Sequence, residues 1–133
     1  MSWTDRLDVV ELTIPVQADL LTLVRLTAAT MATRADFDVD EIEDLRLAVN
    51  ELCLTVAAER SVGNLQLRFI GGADQVEVWC HYDGPDEPVA QGAATASGLS
   101  ARIIEVLVDE GGPDHDDVRQ GAWLRKRRTH KTG

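Results

Sequence analysis

Glu51 and Thr55 are the residues whose types and spacing could do chemistry. They stand one turn apart in Asp44 to Ala58, DLRLAVNELCLTVAA. Ile42, Leu45, Val49, Leu52 and Val56 recur there at spacings of three and four, which makes one apolar helical stripe. Glu51 lies off that stripe. On the flank of a helix whose other side is in a core, a carboxylate can face a cleft and accept a proton, although taken alone it reads as a solvated helix carboxylate. Thr55 adds one neutral hydroxyl. Other constellations are poorer. His81, His115 and His130 have no ligand spacing to Cys53 or Cys80, and Asp114, Asp116 and Asp117 lack the Gly and terminal Glu of a calcium loop. No metal site is expected.

The elements that must position Glu51 can be read from periodicity. Val10, Leu12, Ile14 and Val16 alternate with polar residues and Pro15, as in a strand with one buried face. From about Ala18 to Ala35, Leu20, Val24, Ala28, Met31 and Ala35 form a helical stripe, with Thr22, Arg25, Ala29 and Thr33 on another face. Asp38 and Asp40 favour the start of the next helix. Asn64 to Ile70 and Gln75 to Tyr82 read as strands joined through Gly71-Gly72-Ala73-Asp74, a hairpin signal, with Leu65, Leu67, Phe69, Val76, Val78 and Cys80 inward. Asp83 to Ser97 reads as a loop. Leu99, Ile103, Val106 and Leu107 define a third helix that Gly111-Gly112-Pro113 should stop. After an acidic turn, Asp114 to Asp117, Gly121 to Arg128 reads as a last strand. The order strand, two helices, two strands, helix, strands predicts an α/β (α+β) two-layer sandwich, helices covering one face of a mixed sheet.

Composition bounds the rest. With 133 residues and 44% apolar content, the whole of 1–133 reads as one domain with a single core. No stretch approaches a membrane span, and the N-terminus lacks the pattern of a signal peptide, so a cytoplasmic protein without membrane contact is expected. Cys53 and Cys80 sit among apolar residues and read as buried free thiols. The formal charge of -10 argues against a nucleic-acid partner. Arg125, Lys126, Arg127, Arg128 and Lys131 crowd the C-terminal end, which reads as the solvated end of a strand or a docking patch.

DLRLAVNELCLTVAA strongly resembles the first ATP-box helix of the RsbW/SpoIIAB-type anti-sigma factors of the GHKL (histidine-kinase-like ATPase) superfamily, LxxAVxEAxxNAxxH. SGLSARIIEVLVDE resembles their SGxGLxIIxxLVDE helix and GAWLRKRR their closing strand, so the resemblance spans nearly the whole chain. It implies the GHKL fold and an anti-sigma factor that sequesters an alternative sigma factor of the sigma-B/sigma-F group. Release would come from a STAS-type anti-anti-sigma protein. It also implies a homodimer, and a partner surface on the first helix at Arg25, with Thr22 and Ala29 beside it and the loop from Asp83 as neighbour. The alternative it implies is an active serine kinase that phosphorylates the STAS partner with Glu51 as base.

Three departures bear on that choice. Thr55 stands where the resemblance places the magnesium-binding Asn. The DxGxG box becomes Tyr82, Gly84 and Asp86, or with a slip of one residue starts at Asp83. The second glycine box keeps Gly98 but has Ser100. No Lys precedes residue 126, and Asp83, Asp86 and Glu87 would repel a triphosphate. Any nucleotide site would use Thr55, Asp83, Gly84 and Gly98. The expectation is no cofactor, or ATP with magnesium held weakly, Glu51 being a vestigial base.

Overall fold

A computed structural model describes residues 7–85, 93–114 and 120–129, with side chains in the third helix described from residue 98 onward. The elements in chain order are β1 (Asp8–Pro15), a 3-10 turn (Ala18–Leu20), α1 (Leu21–Arg34), α2 (Val39–Ala57), β2 (Asn64–Gly71), β3 (Gln75–Asp83), α3 (Ala93–Leu107), β4 (Glu110–Pro113) and β5 (Gln120–Arg127). The five strands form one sheet in the order β1-β2-β3-β5-β4, with the helices on one face. The two-layer α+β sandwich is therefore as expected.

The sheet itself corrects one expectation. All four ladders are antiparallel, where a mixed sheet was anticipated. The crossover through α3 does lay β4 in the direction of β3. However, β5 turns back from β4 and fills the slot between them, so the two parallel strands are not neighbours.

Alternation along β2 and β3 puts Leu65, Leu67, Phe69, Val76, Val78 and Cys80 under the helices, all buried. Against them pack Val24, Ala28, Met31 and Ala35 around α1 and Leu45, Val49, Leu52 and Val56 from α2. Leu20 is only half-buried because the α-helix begins one residue later. Asp38 opens α2 with a capping box: its carboxylate accepts from Glu41 N at 2.8 Å and Glu41 accepts from Asp38 N at 2.9 Å.

The expected stripe of α3 is rotated. Ile104 and Ser100 are buried, Ile103 and Leu107 half-buried, whereas Leu99 and Val106 are 63% and 84% exposed. In the run Ile103 to Val108 nearly every position is apolar, so periodicity alone could not choose the face. The helix also starts inside the anticipated loop, and its end is earlier than anticipated. Leu107 is its last residue, and Gly111-Gly112-Pro113 belongs to edge strand β4. Gly111 is required there by close approach, since a Cβ would lie 2.8 Å from Trp123 O. Residues 86–92 of that loop and 115–117 of the acidic turn lie outside the described residues.

Gly121 is closely hemmed in on the sheet. A Cβ there would collide with the His81 ring and stand 2.7 Å from Cys80 O. Gly121→Ala is expected to cost about 1–3 kcal/mol through forced backbone shifts, measured as a lowered urea midpoint.

On the other sheet face Trp79 and Trp123 stack with centroids 5.3 Å apart. Arg125 bonds Glu77 at 2.7 Å and Glu110 at 2.8 Å. Burial works against the charge on Glu77, but the Trp79 indole N–H and Arg125 outweigh it and hold the carboxyl below its ordinary range. Lys126 donates to Leu107 O, Arg127 pairs with Glu110 and Arg128 reaches Asp36. Each of these four cations meets a partner within its own chain, and Arg127 stays half exposed at the end of the strand. Lys131 lies outside the described residues.

Candidate functional site

Helices α1, α2 and α3 bring the expected site residues into two groups and leave others apart. Arg25 projects from α1 toward α2. Its Nη1 donates to Asn50 Oδ1 at 2.7 Å and its Nη2 to Thr22 Oγ1 at 3.1 Å. Thr22 and Ala29 lie three residues before and four after it, so all three share one side of α1. Beside them Leu23 and Leu26 are 48% and 56% exposed. The Thr27, Thr30 and Thr33 hydroxyls donate to carbonyls one turn back, which leaves this face with few free polar donors.

The second group surrounds Glu51. Ser100 Oγ, from α3, donates to Glu51 Oε1 at 3.2 Å, and Asn50 Nδ2 faces Glu51 Oε2 at 3.5 Å. Thr55, one turn along α2, points into a different place. Its buried hydroxyl has no hydrogen-bond partner and lines a cavity of about 610 Å³ between α2, α3 and the β4–β5 ribbon. Ile104 and Ala122 supply apolar wall, and Glu105, Asp109 and Glu110 supply three carboxylates. No Lys, Arg or His is among its described lining residues.

Asp83, Gly84 and Gly98 do not join either group. Tyr82 is buried on the helix side of β3, and Asp83, on the alternate side, is exposed. The Tyr82 hydroxyl lies 2.7 Å from Val62 O and 3.0 Å from Pro85 O, while Arg60 stacks 4.2 Å above the ring centroid. A Cβ at Gly84 would stand 2.5 Å from that hydroxyl, so the chain after β3 is folded down on Tyr82. Gly98 is at the surface with open space around it.

Arg60 is a further tie that the sequence did not announce. It follows the left-handed turn at Ala58 and Glu59, donates to Val56 O at the end of α2 and to Gln120 Oε1 at 2.8 Å, and so joins α2 to β5. Asn50 was equally silent. Ser100 was legible as a replaced glycine, but its contact with Glu51 depends on how α3 is rotated.

A magnesium nucleotide does not fit the described residues well. Thr55 offers one hydroxyl, and the described lining residues include three acidic side chains and no cation, with Glu110 paired to Arg125 and Arg127. Ser100 spends its hydroxyl on Glu51. Among the described residues no cluster of His, Cys, Asp and Glu could hold a metal ion, and no helix is long and apolar enough to cross a membrane. Cys53 and Cys80 are both free and buried. The Cys53 thiol beside it, and then burial, push the Cys80 thiol well up, so its thiolate is disfavoured.

No family model matches the chain. Curated proteins do. Serine-protein kinase RsbW of Bacillus cereus (strain B4264) is 31% identical over 132 aligned residues, covering 85% of this chain and 81% of the relative. The protein of the same name from Bacillus cereus (strain AH187) is 32% identical over the same span. That from Bacillus subtilis (strain 168) is 31% identical over 123 residues, 77% of this chain and 76% of the relative. With the sandwich fold and the α2 carboxylate in place, the chain belongs to the RsbW family of anti-sigma factors and serine-protein kinases.

Proposed function

We propose that this protein is an anti-sigma factor that works by binding. It sequesters an alternative sigma factor of the sigma-B/sigma-F group on the α1 face around Arg25, Thr22 and Ala29, as a single-domain homodimer in the cytoplasm. A STAS-type anti-anti-sigma protein competes for that face and releases the sigma factor. The observation that carries this reading is the contrast between the Arg25 surface and the cavity beside Thr55. Arg25 is presented at a surface with exposed leucines, whereas the cavity beside Thr55 is lined by Glu105, Asp109 and Glu110.

Phosphoryl transfer relies on positioning and charge stabilisation around the phosphates. The described cavity supplies neither, and Glu51 is already engaged by Ser100. The kinase alternative is favoured by one observation, the unpartnered Thr55 hydroxyl, which a ligand could satisfy.

Calorimetric titration with ATP and magnesium to millimolar concentration separates the two. We expect no heat of binding, and a sigma-factor affinity unchanged by nucleotide when the sigma factors of the same genome are tested one at a time. Micromolar ATP binding with phosphate transfer to a STAS serine would overturn the binding-only reading.

A further inference from the structure

Arg25, Asn50, Glu51 and Ser100 form one chain of polar contacts across three helices. Arg25 Nη1 donates to Asn50 Oδ1 at 2.7 Å, Asn50 Nδ2 faces Glu51 Oε2 at 3.5 Å, and Ser100 Oγ donates to Glu51 Oε1 at 3.2 Å. The order of donors and acceptors is dictated by chemistry. A guanidinium can only donate, so the oxygen of the Asn50 amide must face Arg25, which turns its NH2 toward the carboxylate. An ionised carboxylate can only accept, so it takes that NH2 on one oxygen and the Ser100 hydroxyl on the other. Asp at position 50 would keep Arg25 but repel Glu51, and Leu would hold neither.

Two features indicate that the chain has a purpose beyond satisfying polar groups. Asn is a poor interior helix residue, and Asn50 stands in the middle of a 19-residue helix. Ser100 is only 8% exposed, so the seating of α3 on α2 is tied to Glu51.

We infer that Asn50 and Ser100 are positioning residues for partner recognition: through Glu51 they hold the Arg25 guanidinium in one orientation on the α1 face, so that the seating of α3 is felt there. The inference rests on the proposed role of Arg25. A long, free arginine loses side-chain freedom when a partner captures it, and here the orientation is set in advance. Because coupling is reciprocal, a partner that grips Arg25 also steadies α3.

The test uses the full chain and two readouts. In nitrogen-15 NMR of the free protein, the Arg25 guanidinium should rotate slowly, with resolved Nη–H signals that coalesce in both Asn50→Leu and Ser100→Gly. Against a sigma factor that binds the wild-type chain, each substitution should lower affinity about tenfold, and neither should add to the loss in an Arg25→Ala background. Unchanged Arg25 signals in Ser100→Gly, or losses additive with Arg25→Ala, would overturn the coupling. A wild-type chain that binds no sigma factor would sink the functional reading instead, while the NMR arm would still decide this one.

Discussion

Arg25→Glu should weaken sigma-factor binding at least a hundredfold and leave the fold intact. Truncating one member of a buried, hydrogen-bonded charge pair at an interface costs about 2–5 kcal/mol, and a hundredfold is about 2.8 kcal/mol. Reversal adds repulsion where a basic group was read. Within the chain the substitution removes the bonds to Asn50 and Thr22, both at the half-open edge of α1, so circular dichroism and the thermal midpoint should change little. Surface plasmon resonance against the bound sigma factor reads the loss, and undiminished affinity would remove α1 from the contact surface. Glu51→Ala, which reaches Arg25 only through Asn50, should give a partial loss in the same assay.

Glu41→Ala is expected to lower the unfolding free energy by about 3–6 kcal/mol. The side chain is only 5% exposed and does two jobs. It accepts from Asp38 N in the capping box of α2, and it accepts from Thr129 N, pinning the chain that leaves β5. Hydrogen bonds to a charged group are worth roughly 1.5–3 kcal/mol each, and two such bonds give that figure. Burial disfavours the charged form, but the backbone N–H groups of Asp38 and Thr129 outweigh it and hold the carboxyl below its ordinary value of 4.5. The sign follows from this depression. The contribution is complete above the unfolded value and is lost as pH falls through the lower folded one. The difference in urea midpoint between wild type and Glu41→Ala should therefore be constant above about pH 5 and narrow in more acidic buffer. A gap that stays constant down to about pH 3 would show that the carboxylate is not the source.

The fold was legible where one face of an element is apolar and the other polar. Leu65, Leu67 and Phe69 alternate with Gln66 and Arg68, so β2 could be oriented without a structure, and the α2 stripe could be read in the same way. It was illegible where that contrast disappears. Ile103 to Val108 offers several equivalent faces, and the docking of Ser100 on Glu51 picks one of them. Gly111-Gly112-Pro113 has the composition of a helix stop, and only the nearness of Trp123 O shows that its small residues serve an edge strand. For the candidate site, Arg25, Glu51 and Thr55 could be named from the sequence. The roles of Asn50 and Arg60 could not be read from it, because each acts through a partner far away in the chain, Arg25 and Gln120.

β5 lies inside the sheet, between β3 and β4, although its residues come late in the sequence. A ribosome makes the α1 face, α2 and the β2–β3 hairpin first, and during that time the outer edge of β3 has no partner. The nascent chain thus carries the Arg25 surface before its sheet can close. In that interval the bare edge is open to pairing with a neighbouring chain on the same polysome, and emergence of Gln120–Arg127 ends the exposure.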